Sequence, residues 1–125
     1  MENPHPSRDL VSVRLSTWCL MAHKVRRDML GDELSSEPCW YILLDLYRSA
    51  ALGWRVQITS LSPAIGAPHS TVRRWLSLLI GEGLIIRSDD PGDRRRSYVG
   101  LTPKGFILLE EYFRELRAQA KWPPS

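Results

Sequence analysis

The chain has 125 residues, of which 43% are hydrophobic and 25% charged, a composition typical of one globular domain and not of a disordered segment. No apolar run approaches the roughly 18 residues needed to span a membrane, and no secretory signal pattern is present. Two isolated cysteines form neither a disulfide framework nor a zinc site, so we expect a cytoplasmic protein without a cofactor or metal ion.

The positive charge is concentrated in one segment of the chain. Residues 54–104 carry eight Lys or Arg and four acidic side chains, a net charge of +4, whereas the rest carries nine basic and ten acidic ones. A basic segment of this kind is expected where a protein faces the phosphates of a nucleic acid.

Two helices are predicted before the basic segment. The first spans about residues 9–30, because apolar residues recur there every three or four positions, and it ends at Gly31. The second spans about residues 37–52 and ends at Gly53. Cys19 and Cys39 lie in apolar stretches of these helices, so both are predicted to be reduced, inert core residues.

A helix-turn-helix is predicted within the basic segment. Val56 and Ile58 alternate with a polar residue and indicate a short strand, after which Thr59 caps a third, short helix. The turn Gly66-Ala67-Pro68 follows, because glycine allows a left-handed conformation and proline stops the helix. A fourth helix spans about residues 69–81. Two helices joined by a tight, glycine-containing turn form a helix-turn-helix.

A β-hairpin is predicted after the fourth helix. Residues 84–87 and 97–101 have the composition of strands, and the polar residues 88–96 between them are predicted to be a loop containing Pro91-Gly92. The expected fold class is therefore mainly α with a small β-hairpin wing (α+β), which is a winged helix-turn-helix.

The fourth helix carries hydrogen-bond donors and small polar side chains outside its apolar stripe. A helix that enters the major groove needs such side chains on its outer, N-terminal turns. The candidates for contact with DNA are His69, Ser70, Thr71, Arg73, Arg74 and Ser77. A solvated helix face is the alternative explanation of this pattern.

The hairpin tip carries one acid followed by three arginines, Asp93, Arg94, Arg95 and Arg96. Arginines on a hairpin suit a narrow, electronegative minor groove, and Asp93 is placed to hold one of them through an ion pair. A solvated charge run is again the alternative, but its position directly after a helix-turn-helix favours contact with DNA.

The order and spacing of these motifs resemble the MarR family of transcriptional regulators over about residues 37–113. The residues that carry the resemblance are Ile58-Thr59-Ser60-Leu61, Ile65-Gly66, Ser70-Thr71-Val72, Leu79, Glu82-Gly83-Leu84-Ile85, Arg87, Asp93-Arg94-Arg95 and Val99-Gly100-Leu101-Thr102-Pro103-Lys104-Gly105. The resemblance implies a recognition helix that bears Ser70, Thr71, Arg73 and Arg74. It also implies a wing pair formed by Asp93 and Arg95, with Arg95 in the minor groove.

The chain departs from the family pattern in two ways. One helix ends near residue 121 where the family has further helices after the wing, so the dimer surface must be smaller or different. Leu78 and Ile80 are apolar where the family's recognition helix is polar, and they either pack on the first helix or mark a partner surface. Related regulators bind small aromatic ligands, which leaves a small-molecule effector of unknown identity open for this chain.

One domain is predicted over residues 9–121, between a flexible N-terminus (residues 1–8) and a tail (residues 122–125). Its first and last helices (9–30 and 103–121) carry apolar stripes, which either complete the core of the monomer or form a homodimer interface.

We therefore expect a dimeric, sequence-specific transcriptional regulator that binds double-stranded DNA and is not an enzyme. The alternative is a winged-helix module that binds protein and not DNA, which exposed Trp54, Leu78 or Ile80 would favour.

Overall fold

The computed structural model describes residues 9–120, and five helices and three strands follow one another within them. Their bounds are α1 (Leu10–Leu34), α2 (Glu37–Leu52), β1 (Val56–Gln57), α3 (Ile58–Ile65), α4 (His69–Gly81), β2 (Ile85–Asp90), β3 (Asp93–Leu101) and α5 (Pro103–Ala120). The predicted flexible N-terminus, tail and final helical residue 121 lie outside the described residues. The expected fold class, mainly α with a small antiparallel hairpin, is confirmed.

The sheet has three antiparallel strands in the order β1-β3-β2. The hairpin is longer than predicted, because its strands include most of residues 88–96 and only Pro91 and Gly92 form the turn. Side chains stabilise this polar tip, since the Asp90 carboxylate accepts a hydrogen bond from the Gly92 N–H at 2.8 Å. The predicted loop at residues 88–96 is therefore wrong.

The strand before α3 is shorter than predicted. It ends at Gln57, whose extended backbone forms the N-terminal boundary of α3, so Ile58 and Thr59 both belong to the helix. Ile58 is half-buried and packs against the core from the first helical turn. The predicted cap by Thr59 is wrong, because Thr59 lies within the helix and the boundary residue Gln57 makes no side-chain cap. The Ser60 hydroxyl donates to the Gln57 carbonyl at 2.7 Å.

The core lies where α2, α3 and α4 pack against the sheet and α5. Its buried side chains include Ile42, Leu43 and Leu46 of α2, Leu61 of α3, Val72, Leu76 and Leu79 of α4, Leu84 just before β2, Ile85 and Val99 of the hairpin, and Leu109, Tyr112 and Leu116 of α5. Burial of one face of α4 leaves its opposite face toward solvent, as an amphipathic helix requires.

The N-terminal half of α1 extends beyond this core. Val25 is buried, but five apolar side chains before it are exposed, namely Leu10, Val11, Val13, Leu15 and Leu20. Cys19 is also exposed, which corrects the prediction of a core thiol, because α1 packs against the core through Trp18, Met21 and Ala22 and leaves Cys19 outside that contact. Gly31, with φ of 81°, interrupts the helix where its end was predicted.

The start of α5 is anchored to the segment between α4 and β2. The Thr102 N–H donates to the Leu84 carbonyl at 3.0 Å, and the Thr102 hydroxyl donates to the Gly83 carbonyl at 2.6 Å. The same hydroxyl accepts the N–H of Gly105 at 3.1 Å and so caps the helix. These bonds fix the hairpin relative to α5. No helix within residues 9–120 has both the length and the apolar character that crossing a membrane demands.

Candidate nucleic-acid interface

A left-handed glycine joins α3 to α4. Gly66 has φ of 78°, and its N–H donates to the Ser62 carbonyl at 2.9 Å. The Ser62 hydroxyl donates to the Ala67 carbonyl, which holds the turn from its other side. Pro68 precedes the first residue of α4 and has extended backbone. The turn therefore fixes the direction in which α4 leaves α3, as predicted for a helix-turn-helix.

The six candidates on α4 lie mainly on its solvent face. His69, Ser70, Arg73, Arg74 and Ser77 are exposed, and Thr71 is half-buried. The Arg73 side chain makes no ion pair or hydrogen bond within the part of the chain that the structure describes, whereas the Arg74 guanidinium lies 5.5 Å from the Trp75 ring centroid. The face of α4 thus offers an unneutralised guanidinium to a partner.

Asp93 organises the arginines of the hairpin. Its carboxylate accepts a hydrogen bond from the Arg95 N–H at 2.9 Å, and it lies 3.4 Å from Nε of Arg95 and 3.6 Å from Nε of Arg96. The strand register shifts from the pair Asp89–Ser97 to the pair Asp90–Asp93. The three arginines therefore stand between these two pairs, outside the regular ladder. Asp93 holds two of them, where one had been predicted.

An open cavity of about 440 Å³ lies between α4 and the hairpin. Its polar lining consists of Thr59, Arg73, Ser77, Arg87, Arg95 and Ser97. Leu76, Ile80 and Val99 contribute apolar surface, and no carboxylate is among the described residues that line it. The cavity brings Arg73 and Ser77 together with Arg95. The other seven sequence candidates do not line it.

Arg87 is a member of this cavity that sequence reasoning missed. It donates from Nη2 to the Ser97 hydroxyl at 3.0 Å, and Ser97 donates to the Asp89 carboxylate at 2.8 Å. Because side chains alternate along a strand, Arg87 lies on the same face as buried Ile85, two residues earlier. That alternation was the available signal for its position.

Another cluster supports the hairpin through β3, the central strand of the sheet. The Arg55 guanidinium lies 3.6 Å from the centroid of the Tyr98 ring, and the Tyr98 hydroxyl donates to Asp90 at 3.3 Å. The N–H of Gly92, with the Tyr98 hydroxyl and the charges of Arg55 and Arg96, holds the pKa of the Asp90 carboxyl below its ordinary value. These contacts connect the hairpin tip to the segment before β1.

A larger cavity of about 630 Å³ lies between α1, α2 and α5. Its lining includes the aromatic rings of Trp18, Trp40, Tyr112 and Phe113. Arg26 lies on the same cavity, 3.3 Å from the Glu37 carboxylate and 5.2 Å from the Trp40 ring centroid. Burial raises the pKa of the Tyr112 hydroxyl. Within residues 9–120, no three His, Cys, Asp or Glu side chains are grouped as a metal site would require.

No protein-family model matches the sequence, and no curated protein is significantly similar to it. Solved structures do match the fold over most of the chain. Rv1404 from Mycobacterium tuberculosis has a TM-score of 0.73 and 18% identity, with 97% of this chain and 82% of that chain covered. The transcriptional regulator Tm0710 from Thermotoga maritima has a TM-score of 0.66 and 23% identity, with coverage of 88% and 75%.

The similar structures include complexes with DNA. MepR from S. aureus, solved as a complex with DNA, has a TM-score of 0.67 and 20% identity, with 91% of this chain and 87% of the MepR chain covered. MepR and Tm0710 are MarR-family regulators. The chain therefore has the winged helix-turn-helix fold of MarR-like regulators, which confirms at the level of fold what the sequence motifs indicated.

Proposed function

We propose that this chain is a sequence-specific, DNA-binding transcriptional regulator that acts in the cytoplasm as a homodimer. In this proposal α4 enters the major groove and the hairpin enters the adjacent minor groove. The observation that carries it is the cavity shared by Arg73 and Ser77 of α4 and Arg95 of the hairpin. Cations from both elements thereby face one duplex from the same side.

The contacts divide into two classes. Ser70, Thr71, Arg73 and Arg74 supply base contacts and hence specificity, because their side chains project from the outer turns of α4. The remaining candidates, His69, Ser77, Arg94 and Arg96, contact phosphates, while Asp93 positions the minor-groove residue Arg95. Phosphate contacts dominate affinity and make it dependent on salt.

Substitution of Arg95 tests the contribution of the hairpin to DNA binding. Its side chain is 93% exposed, so Arg95→Ala is expected to leave the fold intact and weaken operator binding several-fold or more. Arg27→Ala is the matched control, since it removes the same charge from α1, where Arg27 pairs with Asp32 at 2.9 Å. Affinity of Arg95→Ala equal to that of the control, at matched salt, would remove the hairpin from the mechanism.

Substitution of Arg74 tests the contribution of α4 to sequence recognition. Arg74→Ala is expected to relax or abolish sequence preference, measured by selecting bound DNA from a random pool with each protein. An unaltered consensus would count against α4 as the recognition helix. The selected sites also report half-site symmetry, which a homodimer requires.

The homodimer is proposed from the exposed apolar surface of α1. Five apolar side chains of residues 10–20 are at least 44% exposed, which is more than a monomer would leave on one half-helix without a partner. We expect Leu15→Asp to convert a dimer to a monomer in sedimentation equilibrium without loss of helical circular dichroism. A monomeric wild type at micromolar concentration would refute this part.

The aromatic cavity between α1, α2 and α5 is the site proposed for a small-molecule effector. Its four aromatic rings suit an aromatic ligand. A carboxylate on that ligand would compete with Glu37, which lines the same cavity, for the Arg26 guanidinium 3.3 Å away. Titration with benzoate is expected to change the tryptophan fluorescence of the wild type, because Trp18 and Trp40 line the cavity, and to have less effect in Arg26→Ala. Equal responses would exclude the guanidinium from binding.

The protein-binding alternative has one observation in its favour. Trp54 and Ile80 are exposed, at 59% and 41%, whereas Leu78 is half-buried against the core. Ile80, however, lines the cavity with the arginines, so its exposure suits contact with a thymine methyl group equally well. A gel shift with random DNA at low and high salt separates the two functions, because a protein-binding module gives no salt-sensitive shift.

A further inference from the structure

We propose that the cavity between α4 and the hairpin holds one phosphate group of the DNA backbone, bound by Arg87 together with Arg73 and Arg95. This inference rests on the proposed function and adds a residue and a ligand group to it. It also moves Arg73 from the base contacts to the phosphate contacts, and it has Arg95 touch the same phosphate from the minor-groove side. Arg87 would contribute affinity without contributing sequence preference.

The shape of a DNA duplex places a backbone at this cavity. The major groove and the adjacent minor groove are separated by one sugar-phosphate strand. If α4 occupies one groove and the hairpin occupies the other, that strand must pass between them. The space between α4 and the hairpin is the cavity of about 440 Å³. A phosphate is therefore the DNA group closest to its lining.

The lining has the chemistry of a phosphate site. Three guanidinium groups are accompanied by the hydroxyls of Thr59, Ser77 and Ser97, and no carboxylate from the described residues joins them. Arginine forks bind phosphate through paired, charge-assisted hydrogen bonds. Arg73, which has no polar partner in the described chain, is available to make such bonds without first breaking an ion pair.

Arg87 is oriented before any ligand binds. Its Nη2 atom donates to the Ser97 hydroxyl at 3.0 Å, and that hydroxyl is itself fixed by its bond to Asp89. Asp89 also lies 3.6 Å from Nε of Arg87, but both side chains are more than half exposed. Exposed ion pairs of this kind are weak in water, so Asp89 restrains the guanidinium without cancelling its attraction for a phosphate.

The salt dependence of binding tests whether Arg87 contacts a phosphate. Arg87→Ala is expected to weaken binding roughly tenfold at low salt and to reduce the slope of log K against log salt by about 1. The loss should be equal on the selected operator and on random DNA. Arg87→Lys, which keeps the charge but loses the fork, is expected to retain the wild-type slope with weaker binding. Arg27→Ala serves again as the control of equal charge.

Neutral phosphates test whether the contact is direct. Replacing single operator phosphates by methylphosphonates is expected to reveal one position that weakens the wild type but does not further weaken Arg87→Ala. Such non-additivity indicates that the side chain and that phosphate interact. Fully additive losses at every position would overturn the inference, as would an unchanged salt slope or a loss confined to the operator.

The outcomes also separate this inference from the function on which it rests. A wild type that shows no salt-sensitive binding to any DNA refutes both. If the wild type binds DNA with an affinity that falls as salt rises, and Arg87→Ala has the same slope of log K against log salt, only the phosphate site is refuted. Circular dichroism and thermal melts of each variant show whether the hairpin substitution has altered the fold.

Discussion

Substitution of Gly105 by alanine is expected to destabilise the protein although it adds a helix-favouring residue. Gly105 is buried in the first turn of α5, and a Cβ built on it would lie 2.1 Å from the Leu84 carbonyl oxygen and 3.2 Å from Cδ2 of Leu101. The oxygen belongs to the backbone, so no rotamer change relieves the contact. The start of α5 must move away from Leu84 by about 1 Å or more.

The expected cost follows from three contributions. Overpacking of this kind costs about 1–3 kcal/mol. The movement also strains the hydrogen bond from Thr102 to the Leu84 carbonyl, whose loss costs about 1 kcal/mol. Replacing glycine by alanine in a helix returns about 1 kcal/mol. The free energy of unfolding is therefore expected to fall by about 1–3 kcal/mol, which corresponds to roughly 4–12 °C in Tm for a domain of this size.

Urea unfolding monitored by circular dichroism measures this difference at equal protomer concentration, which matters if the protein dimerises. Gly81→Ala is the matched control, because Gly81 is the last residue of α4 and a Cβ there would meet no atom within 4 Å. That variant is expected to be as stable as the wild type or slightly more stable. A Gly105→Ala protein that matches Gly81→Ala in stability would refute the close approach of α5 to Leu84.

Three further predictions concern the cap of α5, the thiols and the hairpin. Thr102→Ala is expected to lose about 1–2 kcal/mol in urea unfolding, whereas Thr102→Ser keeps the hydroxyl and most of the stability; equal losses would contradict the role of the hydroxyl. At pH 8 iodoacetamide is expected to label exposed Cys19 well before Cys39, because burial, with the charge of Glu33, raises the pKa of the Cys39 thiol to about 12; equal labelling rates in the folded protein would contradict this. The folded-state pKa of Asp90 is lowered from 3.8, so its carboxylate stabilises the fold above that pH and the effect is lost as pH falls through the lowered pKa. The Tm of the wild type should therefore exceed that of Asp90→Asn at neutral pH and converge with it in acid, and a gap that widens on acidification would exclude this explanation.

Those parts of the fold that depend on residues close together in the sequence were predictable from the sequence. The helix predicted at residues 69–81 spans His69–Gly81, since an apolar period and the preceding turn determine both its face and its start. Gly53 and Gly66 adopt the left-handed conformation at the ends of α2 and α3, with φ of 75° and 78°. Only a residue that tolerates this conformation ends a helix in this way, and glycine does so without steric strain.

Features that depend on distant residues were not predictable in the same way. The polar stretch 88–96 has the composition of a loop, and its strand conformation depends on carboxylates that bind backbone and side chains across the hairpin. The exposure of Cys19 depends on which residues of α1 the other helices cover: Trp18, Met21 and Ala22 pack against the core, and Cys19 lies outside that contact. The placement of Arg87 requires knowing which face of β2 is turned toward α4, and hydrophobic alternation over only a few residues determines that face weakly.

The acidic side chains of residues 54–104 lower the net charge of this basic segment, but they also position groups that can contact DNA. Three of the four acids lie in the hairpin: Asp89 binds Ser97, Asp90 binds the Gly92 N–H, and Asp93 binds the Arg95 N–H. None of them lines the cavity beside α4 among the residues described. They reduce the long-range attraction of the segment, yet they hold the arginines and the hairpin backbone in fixed positions. Because exposed ion pairs are weak, a phosphate can replace a carboxylate as the partner of an arginine at little cost. A hairpin without these three aspartates would attract DNA more strongly at long range, but its arginine side chains would become ordered only when DNA binds.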